Sequence, residues 1–486
     1  MVRTDGSRHS LTGSTGRLPP YRVLAEPRLA FDGGRSGATH EHPLRGLLEY
    51  GPYSRAAQVF LGKSIRVATI GPPNSYEKIG RLLSSFRVSQ SVSERREYLP
   101  IFPGVRRVFG VDISPAPPNA HLKLPSDLAQ FDGTGPIGRR VAAVVATQLR
   151  RLATVSETFD VVIVHLPDAW ADAFFGEDDF NLHDTIKGVA AEQGVSTQIF
   201  NDDPWDYTCR ASVAWRVSIA LYTKSGGTPW KLAPRPEAQD TAFIGLAYAR
   251  RGDPSEGRYV TCCSQVFDAD GGGMQFIAFD VGDGVDLRNP FLSRGQMRSV
   301  LARSIALYQR RHGGILPRRV VVHKPGEFKN EEIAGTDDAL RGVPEIECVQ
   351  VQARTPWRAV RLLPPNVPQS RSRPDGWPVH RGTMIPLSGT SILLWTGGNA
   401  PVVSERGNHF QGGNSIPGPI LLVRHAGAGA LEEMAADALG LTKMDWNNDA
   451  LFDPLPVTIV YSKRLAQVIS HVPTLASHPY PYRFFM

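Results

Sequence analysis

"TAFIGLAYAR", residues 241–250, decides how the second half of this chain is read. It is an almost unbroken apolar run, the pattern of a strand buried on both faces. Two further strand-like runs follow, "GRYVTCCSQVF" (257–267) and "GMQFIAFDV" (273–281), joined through the Gly-rich turn "DADGGG". Three strands with tight connections form an antiparallel meander. "SRGQMRSVLARSIALYQRRHGG" (293–314) then reads as a long helix with Ser293 as N-cap and a Gly stop. "RRVVVHKPGEF" (318–328) is a fourth strand, a helix follows, and "EIECVQVQ" (345–352) is a fifth strand.

A meander, a helix and two more strands is the order of a ribonuclease H-type fold. Nucleases of that fold use two divalent ions, each held by hard oxygen ligands from converging carboxylates. One acid belongs in the middle of strand one, one at the end of strand four, and often one on the closing helix. Those positions are Ala247, Lys324 and Lys463 here. A methyl group binds no cation and an ammonium repels one. Asp240, Asp253 and Glu327 do not restore the set: Asp240 lies at the wrong end of its strand, Asp253 lies beyond it, and Glu327 follows Lys324 after a Pro-Gly turn. The expectation is a degenerate nuclease site and a chain that is not itself an enzyme. An active nuclease with an unrecognised metal set is the alternative.

The first half alternates strands and helices. "SIRVATIG" (64–71), "RRVFGVDI" (106–113), "DVVIVHLP" (160–167) and "VSTQIFN" (195–201) read as strands. Helices are expected over 74–88, 137–155, 182–194 and 211–226. This predicts a parallel sheet covered on both faces, a Rossmann-like domain. "ATIGPPNSYEKIG" lacks the GxGxxG spacing and there is no P-loop, which argues against a nucleotide-dependent enzyme. "KLAPRPEAQD" (231–240) is the expected boundary, giving a tail and connector (1–53), a first domain (54–235) and a second (236–486).

A formal charge of +7 suits a polyanionic partner. Four cysteines without a CxxC pair make a disulfide framework or zinc module unlikely to be the organising feature. The polar N-terminal stretch has no signal-peptide core, and no run is long enough for a membrane span. A cytoplasmic protein with no membrane partner is expected.

His183 and Lys187 lie four apart at the start of one helix, where free N–H groups already favour an anion. Asn181 is a plausible N-cap, with Asp184 three residues on. Gln198 follows in the next strand and Lys224 ends the next helix. Two lysines, a histidine and an amide suit a terminal phosphate. The same His and Lys also read as an ordinary solvated helix face.

The two halves together resemble the MID and PIWI domains of Argonautes. His183, Lys187, Gln198 and Lys224 fall at intervals of four, eleven and twenty-six, close to the spacing of the guide 5′-phosphate residues in MID domains. "HPLRGLLEYGPYS" (42–54) and "PVTIVYSKRLA" (456–466) are also similar to the family. The resemblance implies a guide strand, RNA or else DNA, anchored by its 5′-phosphate, and a complementary target DNA. It implies a Mg²⁺ ion shared between that phosphate and the Met486 carboxylate. No PAZ or N domain fits ahead of the first domain. With the missing acids, this resembles short prokaryotic Argonautes, which recognise without slicing. Members of that group work with an APAZ protein carrying a TIR, Sir2 or nuclease effector, in defence against plasmids or phage. A scaffold independent of nucleic acid is a further alternative. Arg216, Lys231, Arg371, Arg373 and Arg424 are candidate contacts to nucleic-acid phosphates.

Overall fold

The computed structural model describes residues 20–56, 64–130, 135–174, 180–235, 240–251, 258–266, 275–281, 291–363, 373–404, 407–472 and 479–486. Two sheets organise them. In the first half the longer elements are β1 (Ser64–Gly71), α1 (Ser75–Ser85), β2 (Asp112–Pro115), β3 (His121–Lys123), α2 (Ile137–Ala153), β4 (Val161–His165), α3 (Leu182–Glu192), β5 (Thr197–Phe200) and α4 (Arg210–Lys224). The strands run parallel in the order β2-β1-β4-β5, and β3 pairs with the end of β1.

Both faces of this sheet are covered, so β1 and β4 are apolar at successive positions. Ala68, Ile70, Val162 and Val164 pack against Val141, Val145 and Leu149 of α2 and Leu182 and Ile186 of α3. Their alternates Val67, Val161 and Ile163 join Ile79 and Leu82 of α1 and Trp215 and Ile219 of α4. The period of two in the strands and of three to four in α2 is what places each face. The Asn181 side chain caps α3 by accepting from the Asp184 N–H at 2.9 Å, as the sequence suggests.

One expected strand is partly a helix. Val105–Phe109 is helical, and β2 begins only at Asp112. The apolar positions Val105, Val108 and Phe109 are spaced three and four apart, and all are buried. That is helical spacing, and Gly110 ends the turn at φ 74°.

The second half contributes β6 (Thr241–Arg251), β7 (Arg258–Val266), β8 (Gln275–Val281), α5 (Arg294–Arg311), β9 (Arg319–Lys324), α6 (Asn330–Ala339), β10 (Glu345–Gln352), β11 (Thr383–Pro386), β12 (Ser391–Leu394), β13 (Ile420–Ala426), α7 (Leu431–Leu441) and α8 (Val457–His471). A ten-stranded sheet runs Arg22–Val23, β11, β12, β13, β10, β9, β6, β7, β8, Tyr480–Pro481. β6, β7 and β8 are an antiparallel meander, while β9 lies parallel to β6 and β10 parallel to β9. The order of these five, 3-2-1-4-5, is the ribonuclease H-type arrangement expected from the sequence.

Ser293 caps α5 in a capping box, its hydroxyl accepting from the Gln296 N–H while the Gln296 amide oxygen accepts from the Ser293 N–H. On one face of the sheet Ala242, Ile244, Leu246, Val320 and Val322 meet Met297 and Leu301 of α5. On the other, Phe243, Ala247, Val321 and Val349 belong to a core with Ile459, Leu465 and Ile469 of α8.

Candidate anion-binding site

α3 presents Ile186, Ala190 and Ala191 to the core, and Lys187 is carried in beside them, only 2% exposed. Its Nζ donates to the Thr197 carbonyl and to the main-chain oxygen of Met486, both at 2.7 Å. Lys224, the last residue of α4, is 1% exposed and donates to the same Met486 oxygen at 2.9 Å. Tyr480–Pro481 pairs antiparallel with β8, and the short helical turn Tyr482–Phe484 leads from there to Met486. The last residue is therefore fixed between two helices of the first sheet.

Burial holds both ammonium groups below their ordinary range, and nearby Arg464 of α8 adds to it. Lys187 is lowered from 10.5 to about 7. Lys224 is pushed well below its usual value, with Lys187 the next cause after burial. Nη1 of Arg464 is buried without a hydrogen-bond partner, as are Oγ1 of Thr197 and Oε1 of Gln198. Two buried ammonium groups that share one acceptor are costly to charge together. The opposing carboxylates, Asp184 for Lys187 and Asp445 for Lys224, are the smallest causes of each shift, so an added anion would stabilise both charged forms.

Of the four residues expected from the sequence, the structure joins Lys187 and Lys224 directly. Gln198 follows Thr197 on β5 and donates from Nε2 to the Ile199 carbonyl at 3.2 Å. His183 stands one turn before Lys187 with 48% of its side chain exposed, and its Nδ1 lies 3.2 Å from Asp184 Oδ1. Arg464 and Thr197 were not singled out from the sequence. Arg464 stands three residues after Tyr461 and four before Val468, both buried, so helical spacing on α8 carried the signal.

The expected degenerate nuclease site does not form one cluster, a correction that follows from strand alternation. Ala247 and Lys324 do lie near the same end of adjacent parallel strands, since the β6–β9 register ends at Gly245 opposite His323. Ala247 faces α8, on the side of Phe243 and Val321. Lys324 alternates with His323 and so faces the α5 and α6 side. There it is held by Glu332 of α6 at 2.7 and 2.6 Å. Glu332 also accepts from the Tyr248 hydroxyl at 3.0 Å and the Leu292 N–H at 3.2 Å. Lys463 is exposed on α8, whose buried face carries Thr458, Ser462 and Leu465. The polar side chain on the Ala247 face is His323, whose Nδ1 is 2.9 Å from Thr458 Oγ1 and whose pKa burial pushes down to about 3. Among the described residues, no three His, Cys, Asp or Glu side chains gather in a group able to hold a metal ion.

The expected phosphate contacts divide. Arg373 is exposed, while Arg371 lies outside the described residues. Arg216 is half exposed but its Nε is bound to Asp449 Oδ1 at 2.8 Å. Lys231 lies over the Tyr53 ring, 4.7 Å from its centroid. Arg424 departs from the expectation: it is 9% exposed, 3.7 Å from Glu347, and donates to the Gly429 carbonyl. That cation is already engaged by protein partners.

No helix among the described residues is long and apolar enough to cross a membrane. No family model matches the chain. Over 483 residues it is 23% identical to the Argonaute of Cereibacter sphaeroides, a match covering 95% of this chain and 57% of that protein. Among solved structures it is similar to Clostridium butyricum Argonaute bound to a guide DNA and a 19-mer target DNA, with a TM-score of 0.68 and 15% identity over 96% of this chain and 55% of the other. Drosophila Piwi matches with a TM-score of 0.59 and 15% identity, over 96% and 55% of the two chains. The chain thus spans about half the length of the proteins it matches. With a Rossmann-like sheet followed by a ribonuclease H-like one, it has the MID–PIWI fold of the Argonaute and Piwi structures.

Proposed function

We propose that this chain anchors a guide strand by its 5′-phosphate and uses it to recognise a complementary target. The observation that carries this reading is the pair of buried ammonium groups, Lys187 and Lys224, on the one Met486 oxygen, with Arg464 near enough to depress both. A phosphate dianion accepting from these donors would form charge-assisted hydrogen bonds in a water-poor site, where they are strongest. His183, at the mouth of α3, would add a fourth donor, and the helix N-terminus favours the same charge. The guided DNA complex of the Clostridium butyricum relative supports the class of ligand. The first reading is an RNA guide and a single-stranded DNA target, with a DNA guide as the other arm.

Mg²⁺ fits the oxygens present. Oε1 of Gln198 and Oγ1 of Thr197 lack partners, and the Met486 oxygen lies beside the Thr197 carbonyl through their common donor Lys187. These are hard ligands of the kind the ion takes. Gln198 and Met486 would hold it, and the ion would supply charge neutralisation between the Met486 oxygen and the phosphate. Lys187 and Lys224 would then turn from Met486 to the phosphate.

Recognition without cutting is the second part of the proposal. Ala247 and the neutral His323 offer no carboxylate on the face where a cation would sit. Output would pass to a partner of APAZ type bearing a TIR, Sir2 or nuclease effector, in defence against plasmids or phage. The test is direct. Purified protein should carry short 5′-phosphorylated oligonucleotides, and Lys187→Ala with Lys224→Ala should weaken 5′-phosphorylated strands far more than 5′-hydroxyl ones. Equal loss for both ends, or no co-purified nucleic acid, would refute the anchoring role.

A further inference from the structure

Asp184 lies at the junction of the two halves of the molecule. It sits in the first turn of α3, with its backbone N–H capped by Asn181. Its Oδ1 faces His183 Nδ1 at 3.2 Å, and its Oδ2 faces Nδ1 of His471, the last residue of α8, at 2.9 Å. One carboxylate thus joins a histidine of the first domain to one contributed by the closing helix of the second. The approach is built in. A Cβ at Gly188, one turn along α3, would come within 2.7 Å of Val472 Cγ2, so only glycine lets the end of α8 lie this close. Burial pulls the Asp184 carboxyl upward, but the hydrogen bonds and charges of His183 and His471 outweigh it and hold it below its usual value.

A carboxylate only accepts, so the proton shared with His183 belongs to Nδ1. The opposite ring nitrogen, Nε2, is then the one left for a ligand, and it donates when both ring nitrogens carry protons. His471 fixes the other carboxylate oxygen and so the direction of the first. We propose that Asp184 and His471 are positioning residues for His183, setting it to donate from Nε2 to the guide 5′-phosphate. This rests on the anchoring role proposed above. It adds that the strength of the pocket depends on contact between α3 and α8, so that the two domains must be in register for the phosphate to be fully held.

The experiment uses the full chain and two oligonucleotides of one sequence, 5′-phosphorylated and 5′-hydroxyl, with affinities measured from pH 6 to 8. Asp184→Asn and His471→Ala are expected to lower the preference for the phosphorylated strand on the order of tenfold, the scale of losing an outer partner of a liganding histidine. Binding of the 5′-hydroxyl strand is unchanged. His471→Asn, whose amide nitrogen falls near the position of Nδ1, restores the preference. Wild-type behaviour in Asp184→Asn, with Lys187→Ala still selective against phosphate, overturns the positioning role and leaves the pocket standing. Equal loss for both strands marks a merely structural role and also overturns it. No change of preference in any variant, Lys187→Ala included, removes the pocket and the proposal together.

Discussion

Lys324 and Glu332 form a closed pair, the ammonium 2.7 and 2.6 Å from the two carboxylate oxygens, with neither side chain more than 1% exposed. The rings of Phe328 and Phe291 stand 4.8 and 5.1 Å from the same nitrogen. Cutting one partner leaves a buried charge alone. Glu332→Ala should cost about 3–5 kcal/mol in urea unfolding. Replacing both residues with Leu and Met should cost far less, because the penalty is desolvation rather than lost attraction. Similar losses in the single and double variants would refute this account.

Acid restored at one position should not restore cutting. Ala247→Asp is expected to give no Mg²⁺- or Mn²⁺-dependent cleavage of guide-matched DNA, and Ala247→Asp with Lys324→Asp should give none either. The two side chains point to opposite faces of the sheet, so no ion bridges them. The new carboxylate at 247 would instead be buried in the α8-facing core and lower stability by roughly 1–3 kcal/mol. Cleavage by either variant would contradict the alternation.

Arg464 is predicted to be a phosphate donor of similar weight to the lysines. Arg464→Ala should reduce affinity for a 5′-phosphorylated oligonucleotide by about tenfold or more, since a hydrogen bond to a charged group is worth roughly 1.5–3 kcal/mol. Binding of the 5′-hydroxyl strand should hold. A fluorescence polarisation titration of both strands separates the two.

The lysine pair predicts an unusual pH response. Lys187 is lowered from 10.5 to about 7 in the folded chain. Between those values the unfolded chain therefore binds more protons than the folded one, and stability contributed by this site rises with pH. Below about pH 7 the contribution is flat. The midpoint of thermal unfolding of the ligand-free protein, minus that of Lys187→Met, should climb from pH 7 towards 10. Inorganic phosphate should flatten the climb by pairing with the charged form. A difference that falls with pH would refute the sign.

The N-cap of α3 gives a simpler check. Asn181→Ala removes the bond to the Asp184 N–H and should cost about 1 kcal/mol of stability, read by chemical denaturation.

Much of the fold was legible because local patterns agreed with the tertiary result. "EIECVQVQ" became β10 residue for residue, and Ser293 capped α5 as expected. The elements that escaped had weaker local marks. Leu431–Leu441 is buried nearly all round, so it carries no clear polar stripe. The hairpin of β11 and β12 is short and follows a Pro- and Arg-rich stretch. At the site, spacing found Lys187 and Lys224 but could not show that both reach one oxygen hundreds of residues away. Lys324 was placed at the end of the fourth strand, whereas its face is set by the alternation with His323. Arg424 read as an exposed cation because its partner Glu347 stands on the neighbouring strand β10, invisible in local sequence.

Lys187 and Met486 are 299 positions apart, and Lys224 and Met486 are 262 apart. Closing such long loops is slow relative to forming helices and hairpins. During synthesis both lysines are made long before the oxygen they share. The two lysines gain their shared acceptor only when residue 486 is present and Tyr480–Pro481 has paired with β8. The environment that depresses Lys187 and Lys224 is therefore completed by the part of the chain made last of the three.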